Sequence, residues 1–181
     1  LEQRVRQVLE RGVAQRVFPG AVAVVTRHDA LVAEVAVGRQ TYEVDAMETS
    51  VSSYYDLASL TKVCATTPVI LRLVARGRLG LDERVVDWLP VFDGDRKGDV
   101  TVQQLLRHTS GLPPSNTSFR DRSGAALMAE ILATPLVGEP GTRKLYSDLG
   151  MIVLQAVAEQ VTGKPFATLV QREVCEPLGM K

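Results

Sequence analysis

The sequence predicts an α+β fold in which helices cover an antiparallel sheet, and two observations predict it. Two β-branched runs, 21–26 and 31–37, flank a short polar connection and read as one hairpin. Around them, several stretches repeat apolar residues at intervals of three and four, the period of a helix with a buried face. At 181 residues, 45% hydrophobic and 23% charged, the chain has the size and balance of one compact domain that can bury a core without disulfide or metal staples.

Taken in order, Leu1, Val5, Val8, Leu9, Val13 and Val17 recur at helical spacing among arginines and glutamines, giving an amphipathic first helix over 1–17 that Pro19-Gly20 breaks. The hairpin then turns at Arg27-His28-Asp29-Ala30. Residues 59–76 carry Leu60, Val63, Ala65, Val69, Ile70, Leu73 and Val74, enough for a long, largely buried helix ending near Gly77, with Pro68 as a site for a kink. Thr101-Val102-Gln103-Gln104 has capping-box form and opens a short helix through Leu105 and Leu106, which Gly111-Leu112-Pro113-Pro114 terminates. Residues 115–122 read as a polar loop, and Asn116-Thr117-Ser118 within it has the form of a glycosylation sequon. Three further helices are expected at 124–133, 149–161 and 165–174, the last with proline in its first turn.

Composition excludes several kinds of function. Lys plus Arg and Asp plus Glu both total 21, so no basic surplus exists to neutralise phosphates, and nucleic acid is not an expected partner. The two histidines and two cysteines form no ligand spacing, and neither a metal nor a cofactor is expected. One disulfide between Cys64 and Cys175 would satisfy the count, but cysteines with apolar neighbours read rather as buried thiols. No apolar stretch is long enough to span a bilayer as a helix, and no basic-then-apolar leader opens at Leu1, so any export signal is expected to be absent or already removed.

The chemistry-bearing feature is Ser59-Leu60-Thr61-Lys62 at the start of the long helix. A spacing of three puts both side chains on one helical face. A serine hydroxyl is a poor nucleophile until a base takes its proton, and a lysine in a desolvated pocket can serve as that base. The helix N-terminus adds a favourable field for charge developing on an attacked carbonyl. The same spacing also describes an N-cap serine followed by a solvated lysine. The apolar character of the helix argues against that plainer alternative, because Lys62 one turn in must be partnered or face a cavity.

Three segments together resemble the serine β-lactamase-like hydrolases, a family that includes class C β-lactamases, D-alanyl-D-alanine carboxypeptidases and esterases. Residues 55–62, Tyr-Asp-Leu-Ala-Ser-Leu-Thr-Lys, resemble the family's nucleophile segment, 105–112 its structural loop, and Tyr146-Ser147-Asp148 its second catalytic element. The resemblance covers essentially the whole chain. It implies a β-lactamase/transpeptidase-like fold in a single domain over 1–181, and a two-step acyl transfer to an ester, β-lactam or D-alanyl peptide. Ser59 would be the nucleophile and Lys62 the proton acceptor, alone or through the Tyr146 phenol. The Ser59 backbone N–H would provide one oxyanion donor. A periplasmic or extracellular location is implied by the resemblance alone.

Asp148 departs from the family pattern, which usually has Asn at this substrate-binding position. An amide both donates and accepts, whereas an ionised carboxylate only accepts and could pair with Lys62. This favours an esterase or peptidase-like hydrolase over an efficient β-lactamase. His108 and Ser110 lie in a Gly- and Pro-bounded loop without an orienting acid, so His108 is expected to fix that turn through backbone hydrogen bonds. The family's later strand, with its Lys-Thr-Gly or His-x-Gly word, has no counterpart here. The chain is therefore expected to be truncated at its C-terminal end, holding only the first hairpin of the sheet, with a further segment or a second chain completing it. The alternative reading is a degenerate, non-catalytic penicillin-binding-like or regulatory module.

Overall fold

The computed structural model describes residues 1–115 and 123–180, which fall into two compact units, Leu1–Asp56 and Leu57–Lys181. The first unit holds helix α1 (Glu2–Ala14) and strands β1 (Gly20–Arg27) and β2 (Ala30–Gly38). The strands pair antiparallel from Gly20 opposite Gly38 to Arg27 opposite Ala30, with an irregularity between Val25 and Thr26. His28 and Asp29 form the two-residue turn, both with positive φ (50° and 62°), the geometry that matches the twist of a tight hairpin. Every second residue of β2, Ala33, Val35 and Val37, is buried, and Arg6 of α1 donates to the Ala36 carbonyl. The first helix ends three residues before the expected limit because Arg16 turns left-handed, with φ 56°.

The second unit is helical and holds the core. Helix α6 (Asp148–Thr162) runs through it, burying Leu149, Met151, Val153, Leu154 and Val157 against residues of α2 (Thr67–Ala75), α3 (Val85–Trp88), α4 (Val102–Leu106), α5 (Gly124–Ala133) and α7 (Phe166–Val170). Ser147 caps its start by accepting the Gly150 N–H at 3.1 Å, and Gly163 ends it at φ 66°. The expected capping box opens α4: Thr101 Oγ1 accepts the Gln104 N–H, and Gln104 Oε1 accepts the Thr101 N–H. The short helix α3 and the 3₁₀ turn Lys97–Asp99 carry too few turns to leave a periodic signal, and neither was expected. Lys97 is buried, donating to the Leu132 carbonyl at 2.7 Å near the end of α5.

Two expectations need correction. The helix that begins after Ser59 is not largely buried: Leu60, Val63 and Leu71 are exposed while Val69, Ile70 and Leu73 are buried. Of the exposed residues, Val63 and Leu71, with Val174, Leu178 and Met180, line an apolar groove of about 560 Å³. Pro68 has no N–H to give to Cys64, and the chain widens into a π-helical turn, Lys62–Thr66, in which the Thr67 N–H donates to the Lys62 carbonyl five residues back. Nor are the cysteines buried thiols. Both are free, Cys64 is exposed on the widened turn, and Cys175 is half-buried in a second π turn, Gln171–Cys175, that ends the helix expected over 165–174. The sequon at Asn116 lies outside the described residues.

The loop between α4 and residue 114 fastens the segment that leads into α6. Gly141 N–H donates to Thr109 O, Val137 N–H to Gly111 O, and Leu145 N–H to His108 O. Gly111 has φ 84°, and a Cβ there would run into the Gly138 carbonyl oxygen. Gly111→Ala is therefore expected to destabilise the protein by about 2 kcal/mol or more, read as a lower midpoint of chemical denaturation. A midpoint equal to that of the parent would contradict this account of the loop.

Candidate active site

Ser59 sits where the chain turns into its long helix. Ala58 just before it is left-handed (φ 44°), after which the N–H groups of Leu60, Thr61 and Lys62 close the first turn on the carbonyls of Leu57, Ala58 and Ser59. That turn brings Lys62 Nζ to Ser59 Oγ, donating at 3.2 Å. The same ammonium lies 2.6 Å from Asp148 Oδ1 and 4.9 Å from the centre of the Tyr146 ring. The Ser59, Lys62, Tyr146 and Asp148 of the sequence reading thus converge within the second unit.

Tyr146 and Asp148 reach the pair because their backbone is tied to the loop 108–114. Ser147 Oγ donates to Pro113 O at 2.6 Å, and the Asp148 N–H donates to Pro114 O at 2.7 Å. The Ser147 N–H donates to His108 Nδ1 at 3.1 Å. His108 thus forms a backbone hydrogen bond as expected, but its side chain holds the segment leading into α6 rather than its own turn, and Ser110 is buried with its hydroxyl turned to the Leu112 N–H.

The site is half open. The Lys62 side chain is only 13% exposed, whereas Asp148 is 47% and Tyr146 49% exposed. Burial is the largest single influence on Lys62 and pulls its pKa down, but hydrogen bonds and charge from Asp148 and Tyr146 outweigh it, so the ammonium is held above its ordinary value. Hydrogen bonding with Lys62, then with Ser59, draws the Tyr146 phenol below its ordinary value against burial and the Asp148 charge. Chemically, a hydroxyl, an ammonium and a phenol in mutual reach can move a proton off the hydroxyl, and the partner shifted toward accepting one is the phenol. Among the described residues, no three His, Cys, Asp or Glu side chains gather as a metal site would require.

The beta-lactamase family profile matches residues 5–181. The chain belongs to the beta-lactamase family. It is 36% identical over 202 residues to the esterase EstB of Burkholderia gladioli, covering 100% of this chain and 50% of that protein. It is 32% identical over 200 residues to the N-acetylmuramyl-L-alanine amidase of Bacillus subtilis (strain 168), covering 99% of this chain and 45% of that one. Among solved structures it superimposes on EstCE1, a hydrolase with promiscuous acyltransferase activity, with a TM-score of 0.86 at 27% identity over 99% of this chain and 51% of the other. The beta-lactamase-family chain spans about half the length of the curated relatives it matches.

Within this family chain, the clearest contribution that sequence reasoning understated is that of His108. Its ring centroid lies 4.7 Å from that of Tyr146 at a tilt of 37°. The signal was available in part, because a histidine between a helix end and a Thr-Ser-Gly turn bounded by Gly and Pro has a backbone task; in the structure it adopts φ 58°. What the spacing could not show is which distant segment that task would serve.

Proposed function

We propose that the chain carries the acylating centre of a metal-free serine hydrolase, acting through an acyl-serine intermediate on an ester, amide or β-lactam carbonyl. The observation that carries this reading is a single ammonium, Lys62, within 3.2 Å of the Ser59 hydroxyl and 2.6 Å of a carboxylate, close to the Tyr146 ring. Ser59 Oγ attacks the carbonyl carbon while its proton passes to the Tyr146 oxygen, whose anionic form the Lys62 ammonium stabilises. The tetrahedral intermediate collapses, the leaving group takes the proton back from Tyr146, and the acyl group remains on Ser59. Water then attacks the acyl-serine, giving its proton to Tyr146, and Ser59 departs with a proton returned by the phenol.

The Ser59 N–H supplies one donor to the oxyanion. The second donor and the facing wall of the cleft we assign to strands outside these 181 residues, from the same polypeptide or a second chain. Relatives named as an esterase and as an amidase support ester and amide carbonyls as the substrate class. Asp148 would meet the bound acyl group and, as an acceptor, favour substrates that present an N–H or O–H there.

The test is to treat the full-length protein with a fluorophosphonate and, separately, with a penicillin, and to map any adduct by peptide mass spectrometry. An adduct on Ser59 is the expected result. A folded protein that forms no adduct with either probe would overturn the reading and leave a non-catalytic binding module in its place.

A further inference from the structure

Tyr146 lies in an extended segment that is anchored on both sides by one residue. The N–H of Leu145 donates to the His108 carbonyl at 2.7 Å, and the N–H of Ser147 donates to His108 Nδ1 at 3.1 Å. Between these two bonds, the imidazole lies against the phenol ring at 4.7 Å. We propose that His108 is the positioning residue for Tyr146: its neutral imidazole holds the phenol beside Lys62 and Ser59, and protonation of His108 releases it. The proposal rests on the acyl-serine reading above, because the quantity it controls is the rate at which Ser59 is acylated.

Elementary chemistry sets the direction. Nδ1 accepts a hydrogen bond, so the neutral ring carries its proton on Nε2. An imidazolium carries a proton on both nitrogens; Nδ1 can no longer accept, and the Ser147 N–H faces another N–H. One of the two ties on Tyr146 is then lost, while the carbonyl tie at Leu145 remains. The charged and titratable groups around the ring are Lys144 and Tyr146 on the anchored segment, Asp148 at the start of α6, and Lys62 on the nucleophile helix. Burial first, then the positive charges of Lys144 and Lys62, push His108 below its ordinary value, with Asp148 opposing. At neutral pH the ring is therefore in its holding form, and release belongs to the acid side of the usual histidine range.

A substitution that preserves the backbone is available. His108 has φ 58°, a conformation that asparagine adopts more readily than most residues. His108→Asn keeps a side-chain acceptor for the Ser147 N–H but cannot titrate, whereas His108→Leu keeps bulk and loses the acceptor. The experiment measures the rate of Ser59 acylation by a fluorophosphonate, and kcat and KM for an activated ester, from acid to neutral pH in full-length protein. In parallel, ¹⁵N NMR follows the imidazole of His108; within these 181 residues His28 is the only other histidine.

The expected result is an acid limb in the acylation rate whose midpoint matches the His108 titration and which disappears in His108→Asn. His108→Leu is expected to lower kcat by roughly tenfold or more at every pH, with a smaller change in KM, as misplacement of a proton-transfer group should. An acid limb that survives in His108→Asn, or a His108→Leu variant with parental kcat, would overturn the proposal while leaving the acyl-serine reading intact. Parental protein that forms no Ser59 adduct at any pH would overturn the acyl-serine reading, and this proposal with it.

Discussion

Ser59→Ala is expected to eliminate the probe adduct and reduce ester turnover by roughly 10,000-fold or more, the scale seen when a covalent nucleophile is deleted from a unit that acts together. The substitution isolates chemistry from folding. Ser59 is exposed, and its side chain receives a hydrogen bond from Lys62 without filling the core, so the stability change should stay within about 0.5 kcal/mol. Deleting Lys62 instead would give a less clear answer, because it would leave the Asp148 carboxylate, 2.6 Å away, without its counter-charge. Turnover that survives Ser59→Ala at near-parental rate would place the nucleophile elsewhere. Intact thermal melting with lost turnover would assign the loss to the reacting oxygen.

Asp148→Asn is the second large effect, and it is expected to raise the rate of acylation by a penicillin. Two consequences of the swap raise the rate, and a third shifts its pH dependence. The amide can donate a hydrogen bond to a carbonyl on the substrate, which the carboxylate cannot. The charge that repels an incoming carboxylate and a developing oxyanion is removed. The groups that hold the Lys62 ammonium above its ordinary value lose their first member, so the Lys62 pKa should fall, and the opposition of Asp148 to the shift of Tyr146 also disappears. A gained neutral hydrogen bond contributes about 0.5–1.5 kcal/mol, which corresponds to roughly 2- to 10-fold in the acylation rate before the relief of charge repulsion is added. Stopped-flow acylation measures it, with the alkaline limb of the profile moving to lower pH as the Lys62 pKa falls. An unaltered rate and an unaltered alkaline limb would show that the carboxylate does not govern this site.

Much of this geometry is legible in the amino-acid sequence, and the reason is locality. Ser59 and Lys62 meet because residues three apart share a helical face, the hairpin forms because two β-branched runs flank a two-residue turn, and Thr101 caps α4 by reaching only to Gln104. The Lys62–Asp148 pair is different. Asp148 arrives through Pro113, Pro114 and His108, a tertiary fastening that no spacing within the sequence encodes, and only the family resemblance anticipated it. The burial of the helix after Ser59 departs from the sequence expectation for a related physical reason. Apolar content shows that Leu60, Val63 and Leu71 favour a dry environment, but what lies against them depends on packing that composition does not encode.

The widened turn at Lys62–Thr66 has a consequence for how this helix is timed. A regular helix advances about 100° per residue, so side chains at fixed intervals keep a fixed angular phase from end to end. One additional residue in a turn resets that phase. Upstream of Pro68 the phase is set by the contacts of Lys62 with Ser59 and with Asp148, and downstream by the packing of Val69, Ile70 and Leu73 into the core. The two requirements are thereby uncoupled. Deleting one residue within 62–66 would rejoin them into one continuous period, and either the reactive pair or the core ridge would be rotated out of place.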